Sequence, residues 1–169
     1  MEAFDTVRTV LAVRRYREQR VPAGIQGRIV EAGRLSGSSI NLQPWHFIVV
    51  EERYTLRKIG EIMKTGRYTA DASFAVVVLV EKDSPSAVSD ASRAIQNMIL
   101  TAWSDGVGSN WVGFGTMPAI ETLLGAPKSF EALAILPFGY PAAKLGRGKK
   151  RRKPLSEVAS RERFGTPFA

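Results

Sequence analysis

Residues 38–45 read Ser-Ser-Ile-Asn-Leu-Gln-Pro-Trp and run directly into the apolar stretch His46-Phe47-Ile48-Val49-Val50. Ser38, Ser39, Asn41 and Gln43 bring hydroxyl and amide groups that donate and accept hydrogen bonds without carrying charge. Pro44 fixes its own φ and biases the residue before it toward extended backbone. The chemistry open to such a turn is recognition, through neutral hydrogen bonds to the polar edge of a flat heteroaromatic ring. The same residue types also punctuate ordinary loops for conformational reasons alone. Taken by itself, the segment leaves both readings open.

Cations form a second kind of candidate. Arg14 and Arg15 open a basic cluster near one end of the chain, and Lys150 and Arg152 lie in a basic run near the other. Either pair could hold a phosphate by charge-assisted hydrogen bonds. Between them, Gly113-Phe114-Gly115 offers backbone groups in a glycine-rich loop. A ligand with a phosphate tail and a flat polar ring would use all three. The charge distribution fits a local role for the run: of the net +8, residues 144–163 carry +7, from nine Lys or Arg against Glu157 and Glu162. So concentrated a run implies a solvated tail, a polyanion contact or a phosphate socket.

Several reaction classes drop out. With no cysteine and the single histidine His46, the chain has no thiolate nucleophile, disulfide or zinc ribbon and cannot build a multi-histidine metal site. No Gly-x-Ser-x-Gly elbow, Gly-x-x-x-x-Gly-Lys loop or Gly-x-Gly-x-x-Gly fingerprint occurs; after Gly106-Val107-Gly108, Trp111 stands where the third glycine should fall. A Rossmann dinucleotide domain is therefore disfavoured. Trp45 reads as a core residue, Trp103 and Trp111 as core or interface, and His46 as a satisfied or exposed side chain, none of them a catalyst.

The elements that must position these groups follow from periodicity. Phe4, Val7, Val10 and Leu11 mark a helix from Phe4 to about Val13, with Asp5 or Thr6 as caps. A second begins at Pro22 and carries three internal glycines, Gly24, Gly27 and Gly33, that close packing could compensate. His46–Val50 reads as a buried strand and Tyr54–Met63 as a short helix. Ser73–Val80, apolar throughout, reads as a strand buried on both faces. Asp90 precedes a wide apolar helical stripe from Ala91 to Trp103, stopped by Gly106. Residues 108–115 suggest a strand entering a loop, Pro118–Leu124 a helix closed by Gly125, and Ala132–Leu136 a last strand. The expected fold class is α+β, helices covering a modest sheet, in one domain of 169 residues with a basic extension from about 144. No apolar run nears the roughly 20 residues that span a bilayer, and Met1-Glu2-Ala3-Phe4-Asp5 carries acid where a secretory signal carries base. The expected location is cytoplasmic, with no membrane partner.

Four blocks, in order over nearly the whole chain, resemble the nitroreductase-like flavoproteins. They are Val13-Arg14-Arg15-Tyr16 with Val21-Pro22; Ser38-x-x-Asn41-x-Gln43-Pro44-Trp45, the most specific; Gln96-Asn97 with Gly106-Val107-Gly108-Ser109; and Gly139-Tyr140-Pro141 before the basic Lys-Pro-Leu-x-Glu tail. The resemblance implies a mostly antiparallel central sheet flanked by helices, FMN as cofactor, NADH or NADPH as transient reductant, and a homodimer with shared active sites. It further implies that Arg14, with Arg15, meets the phosphate or ribityl end and that Lys150 and Arg152 complete the socket. Ser38, Ser39 and Asn41 would reach the flavin of the neighbouring subunit with Gln43 in support, and Gly113 and Phe114 would face the flavin N5 edge. The chemistry would belong to the flavin: hydride from NAD(P)H to an electron-poor acceptor such as a nitroaromatic or quinone, in ping-pong order, with no catalytic side chain.

There are departures. Val10, Leu11 and Ala12 stand where the family often has Arg-x-Ser, and Gly37 replaces its proline before Ser38. Each charge-assisted bond lost and not replaced costs about 1–3 kcal/mol, so Arg8, Arg67 and the 149–153 run are candidates to compensate. Two rivals remain: a flavin protein of the same fold with a different acceptor, and a nucleic-acid-binding protein using residues 144–163. The second lacks the clustered aromatics of a single-strand platform, and no nucleic-acid partner is expected.

Overall fold

The structure is a computed structural model, described here for residues 2–113, 115–145 and 150–168. Four strands, β1 (Trp45–Val50), β2 (Phe74–Glu81), β3 (Gly108–Ser109) and β4 (Phe130–Gly139), form one sheet in the order β1-β2-β4-β3, every neighbouring pair antiparallel. Helices α1 (Ala3–Thr9), α2 (Ala23–Arg34), α3 (Arg53–Ile62), α4 (Ala87–Ser104) and α5 (Pro118–Leu124) cover it. This is the expected α+β sandwich.

The organising element is β2. Its residues from Phe74 to Val80 are all buried, and successive side chains point to opposite faces. Val76, Val78 and Val80 pack with Ala91, Ile95 and Met98 of α4 and Ile29 of α2. Ala75, Val77 and Leu79 pack with Leu56 and Ile59 of α3 and Ile120 of α5. An unbroken apolar run is thus what a strand with helices on both sides requires. Phe74 and Phe138, both fully buried, stack with ring centroids 4.9 Å apart.

Several expectations are corrected. β1 is an edge strand and only Val50 in it is buried; Trp45 and Phe47 pack on one face of the sheet and Ile48 and Val50 on the other, each face only partly covered. The first helix stops at Thr9 rather than near Val13, with Asp5 and Thr6 inside it and Glu2 at its N-cap. Residues beyond it leave helical geometry to pair with the sheet edge, Ala12 beside Ser109 and Tyr16 beside Pro141. Asp90 does not precede α4 but lies in its first turn, fully buried. Of the three glycines in α2, only Gly33 meets a neighbour, a Cβ there falling 3.0 Å from Met98. The strand expected near 108–112 has two regular residues and a single further bridge, Val112 to Ile135. A 3-10 segment, Lys64–Asp71, has no apolar period and was not anticipated. Pro118–Leu124 ends as expected at Gly125, whose φ of 66° is left-handed.

Candidate functional site

The edge segment and β3 build one end of the site. The Val13 N–H donates to the Ser109 carbonyl at 2.8 Å. Gly108 lets them meet, since a Cβ there would fall 2.4 Å from Val13 Cγ2. Tyr16 lies against Gly139, and its hydroxyl donates to the Val13 carbonyl (2.8 Å) or the Pro137 carbonyl (3.2 Å). Burial, with Tyr68 nearby, holds its phenol well above the usual range against the opposing pull of Arg14, so Tyr16 stays neutral and serves as an anchor. Arg14 and Arg15 remain exposed, form no ion pair within the described residues, and line a cleft of about 970 Å³ with Arg17, Arg20 and Arg57.

From Ser109 the chain runs back along β4 to Val112, whose N–H and carbonyl exchange 2.9 Å bonds with Ile135. Gly113 follows with φ of 106°, its carbonyl accepting from Trp111 Nε1 at 3.1 Å. Gly113 lies four positions after Ser109, at most roughly 13 Å of extended chain. Beside this stretch lies the 3-10 segment: Gly66 backs onto Val112, and Asn110 Nδ2 donates to the Tyr68 hydroxyl at 2.5 Å. Arg67, exposed between them, is thereby carried to the same edge. Sequence reasoning missed Tyr68 and Asn110, because nothing in the linear order links residue 68 to residue 110.

The 38–45 loop lies elsewhere. Trp45 pairs with Val80 and the Glu81 N–H donates to the Pro44 carbonyl at 3.2 Å, whereas Tyr16 and Pro141 flank the other end of β2, where Phe74 pairs with Phe138. At about 3.3 Å per residue the two ends are roughly 20 Å apart. The loop itself is tightly wound, with non-glycine left-handed φ at Ile40 (43°), Asn41 (60°) and Gln43 (53°). Ser38 Oγ accepts from the Gln43 N–H at 3.0 Å, and Gln43 Nε2 donates to the Asn41 carbonyl at 3.2 Å. Both bonds lie within the loop and close it on itself. The extended backbone that Pro44 favours at Gln43 is overridden by these bonds. Ile40 and Leu42 project into solvent, 87% and 52% exposed.

The basic extension occupies a third place. Lys150 Nζ donates to the Val7 carbonyl in the last turns of α1 at 2.5 Å, and Arg152 Nη1 donates to the Arg151 carbonyl at 3.0 Å. Neither lines the Arg14 cleft. Burial, then the charge of Arg152, lowers the affinity of Lys150 for its proton. Arg8, one candidate to compensate, is taken by Asp5 at 2.8 Å. Phe114, Arg147 and Lys149 lie outside the described residues. Among the described residues no cluster of acids and histidine could hold a metal, and no helix is long and apolar enough to cross a membrane.

Comparison with known proteins agrees with this geometry. Proteins from Methanothermobacter thermautotrophicus and Archaeoglobus fulgidus, each named "Putative NADH dehydrogenase/NAD(P)H nitroreductase", are both 32% identical to this chain. The first match covers 86% of this chain and 81% of the relative, the second 83% and 86%. A crystal structure of a protein of the same name from Parabacteroides distasonis superposes with a TM-score of 0.87 over 95% of this chain and 98% of that one, at 26% identity. The sequence model of the Nitroreductase family matches residues 8–74 and 63–140. The antiparallel sandwich, the ordered motif blocks and these matches agree, and the chain belongs to the nitroreductase family.

Proposed function

We propose that this protein is an FMN-dependent oxidoreductase that takes reducing equivalents from NADH or NADPH and passes them to an electron-poor small molecule, with two subunits sharing each site. The observation that carries the reading is the edge from Arg14 to Gly113. It has Arg14 and Arg15, which form no ion pair among the described residues, at one end, neutral donors and a glycine-opened backbone at the other, and a separation that suits a molecule with a phosphate tail and a fused ring. When bound, FMN supplies the chemistry by accepting a hydride and releasing two electrons to the acceptor. The named relatives support nicotinamide as the electron source.

The residues divide the remaining work. Arg14, with Arg15, neutralises the phosphate; Arg67 offers a further charge near the ring end; Gly113 presents backbone where a side chain would intrude. Lys150 and Arg152 are a repelling pair, a combination that an anion between them relieves. Lys150 sits on the Val7 carbonyl, three residues ahead of Val10, where the family's guanidinium is missing. A Lys150→Ala, Arg152→Ala double variant is expected to weaken FMN binding about tenfold or more, measured by quenching of flavin fluorescence; undiminished binding would remove the tail from the socket.

The roughly 20 Å between the arginine end and the Ser38–Gln43 loop supports the two-chain arrangement, because the loop of one chain lies too far along the sheet to close over its own Arg14. Its exposed Ile40 and Leu42, with Phe4 and Val7 of α1, are apolar groups that a second subunit would cover. The direct test is the absorbance spectrum of the purified protein after incubation with FMN, before and after NADPH is added without oxygen. A flavin spectrum that bleaches on addition and returns with a quinone or nitroaromatic is the expected result. Protein that never takes up flavin would overturn the reading.

A further inference from the structure

Three side chains on one face of α4 reach the segment from Ser36 to Ser39, two of them at its backbone and one at the Ser36 hydroxyl. Asn97 Nδ2 donates to Ser36 Oγ at 2.7 Å, Arg93 Nη1 approaches the Gly37 carbonyl at 3.4 Å, and the Ser39 N–H donates to Asp90 Oδ2 at 2.9 Å. Positions 90, 93 and 97 are spaced by three and four, so they share a helix face. The rung at Asp90 is unusual for its burial, because the carboxylate is fully inaccessible, and a buried charge persists only where it is paired and hydrogen-bonded. The Ser39 N–H, the Ser86 side chain and the Arg93 guanidinium favour its charge, Arg93 Nη2 lying 3.3 Å from Oδ1. The loop needs such holding, since three of its non-glycine residues sit in the left-handed region.

We infer that the Asp90–Arg93–Asn97 face of α4 is a positioning device that holds the 36–39 segment so that Ser38, Ser39 and Asn41 present their donors to the flavin ring, with Asp90 the principal rung. The inference rests on the flavin reading and adds to it a residue that touches no ligand. The hydrogen bond from Ser39 keeps the Asp90 carboxyl below the usual carboxylate range, against the opposing effect of burial. The anion that accepts the Ser39 N–H is therefore the standing form at neutral pH.

The test is Asp90→Ala, which removes the acceptor of the Ser39 N–H, titrated with FMN and with riboflavin and monitored by flavin fluorescence and visible absorbance, with thermal unfolding alongside. Loss of loop placement should weaken both ligands about tenfold, the worth of one charge-assisted bond, and shift the absorbance envelope of the bound ring. The ratio of riboflavin to FMN dissociation constants should stay unchanged, because the phosphate is held at the other end. A loss of overall folding would instead lower the unfolding midpoint and degrade phosphate and ring contributions together. Ser39→Pro deletes the donor N–H from the exposed side of the same bond, and serves if the buried substitution prevents folding. Wild-type affinity and spectrum in a folded variant lacking this bond would overturn the inference. Failure of the wild-type protein to bind either flavin would overturn the functional reading itself.

Discussion

Phe74→Ala is expected to lower the free energy of unfolding by about 3–5 kcal/mol, shifting the folding equilibrium by roughly two to three and a half powers of ten. Phe74 begins β2, is wholly inaccessible and stacks on Phe138 of β4 with rings inclined by 15°. Removing the ring takes away its transfer free energy and leaves a cavity that two strands locked in register cannot collapse to fill, Phe74 pairing directly with Phe138. The same backbone anchors the edge segment, since the Ser73 N–H donates to the Phe138 carbonyl and Ser73 Oγ accepts from the Val21 N–H, both at 2.8 Å. Chemical denaturation followed by circular dichroism measures the loss. A drop below about 1.5 kcal/mol, the size of an Ile→Val change, would mean that the strand pair relaxes far more than its hydrogen bonding allows.

Gly113→Val is expected to slow reduction of bound flavin by NADPH about a hundredfold, the scale of losing one well-placed backbone donor in an active site. Gly113 has φ of 106°, and a Cβ built there would lie 2.7 Å from Met117 Sδ. A β-branched residue tolerates that φ poorly. Met117 is 5% exposed, so its yielding costs core packing. The backbone would turn instead, carrying with it the groups proposed to face the flavin. Anaerobic stopped-flow absorbance gives the rate; unchanged reduction in a variant that still binds FMN would move the reactive edge away from Gly113.

The sequence was most legible where burial is simplest. The seven apolar residues of β2, the stripe of α4 and the Pro118-to-Gly125 helix carry their structure in composition and spacing, because each is decided by a covered face or a left-handed stop. His46–Val50 reads in sequence as a buried strand, but an apolar run does not say whether a strand has neighbours on one side or two, and the strand order places β1 at an edge where its side chains are only partly covered. Arg14 and Arg15 are proposed for the site from their charge and the 38–45 loop from its polar composition. The pairing of Tyr68 with Asn110 and the burial of Asp90 depend on contacts between residues 42 and 51 positions apart, for which no local pattern exists. The apolar stripe that begins at Ala91 leaves Asp90 reading as a residue before it, whereas α4 starts a turn earlier at Ala87 and takes Asp90 into the helix.

The opposite placement of the arginine end and the Ser38–Gln43 loop has a genetic consequence. On the two-chain reading, a copy damaged only at Arg14 and a copy damaged only in the loop are complementary alleles. In a mixed dimer one site collects both lesions, while the other collects an intact arginine end from one chain and an intact loop from the other. Random pairing of equal amounts makes about half the dimers mixed, so roughly a quarter of all sites are restored, and a cell carrying both defective genes recovers an activity that neither gene supports alone.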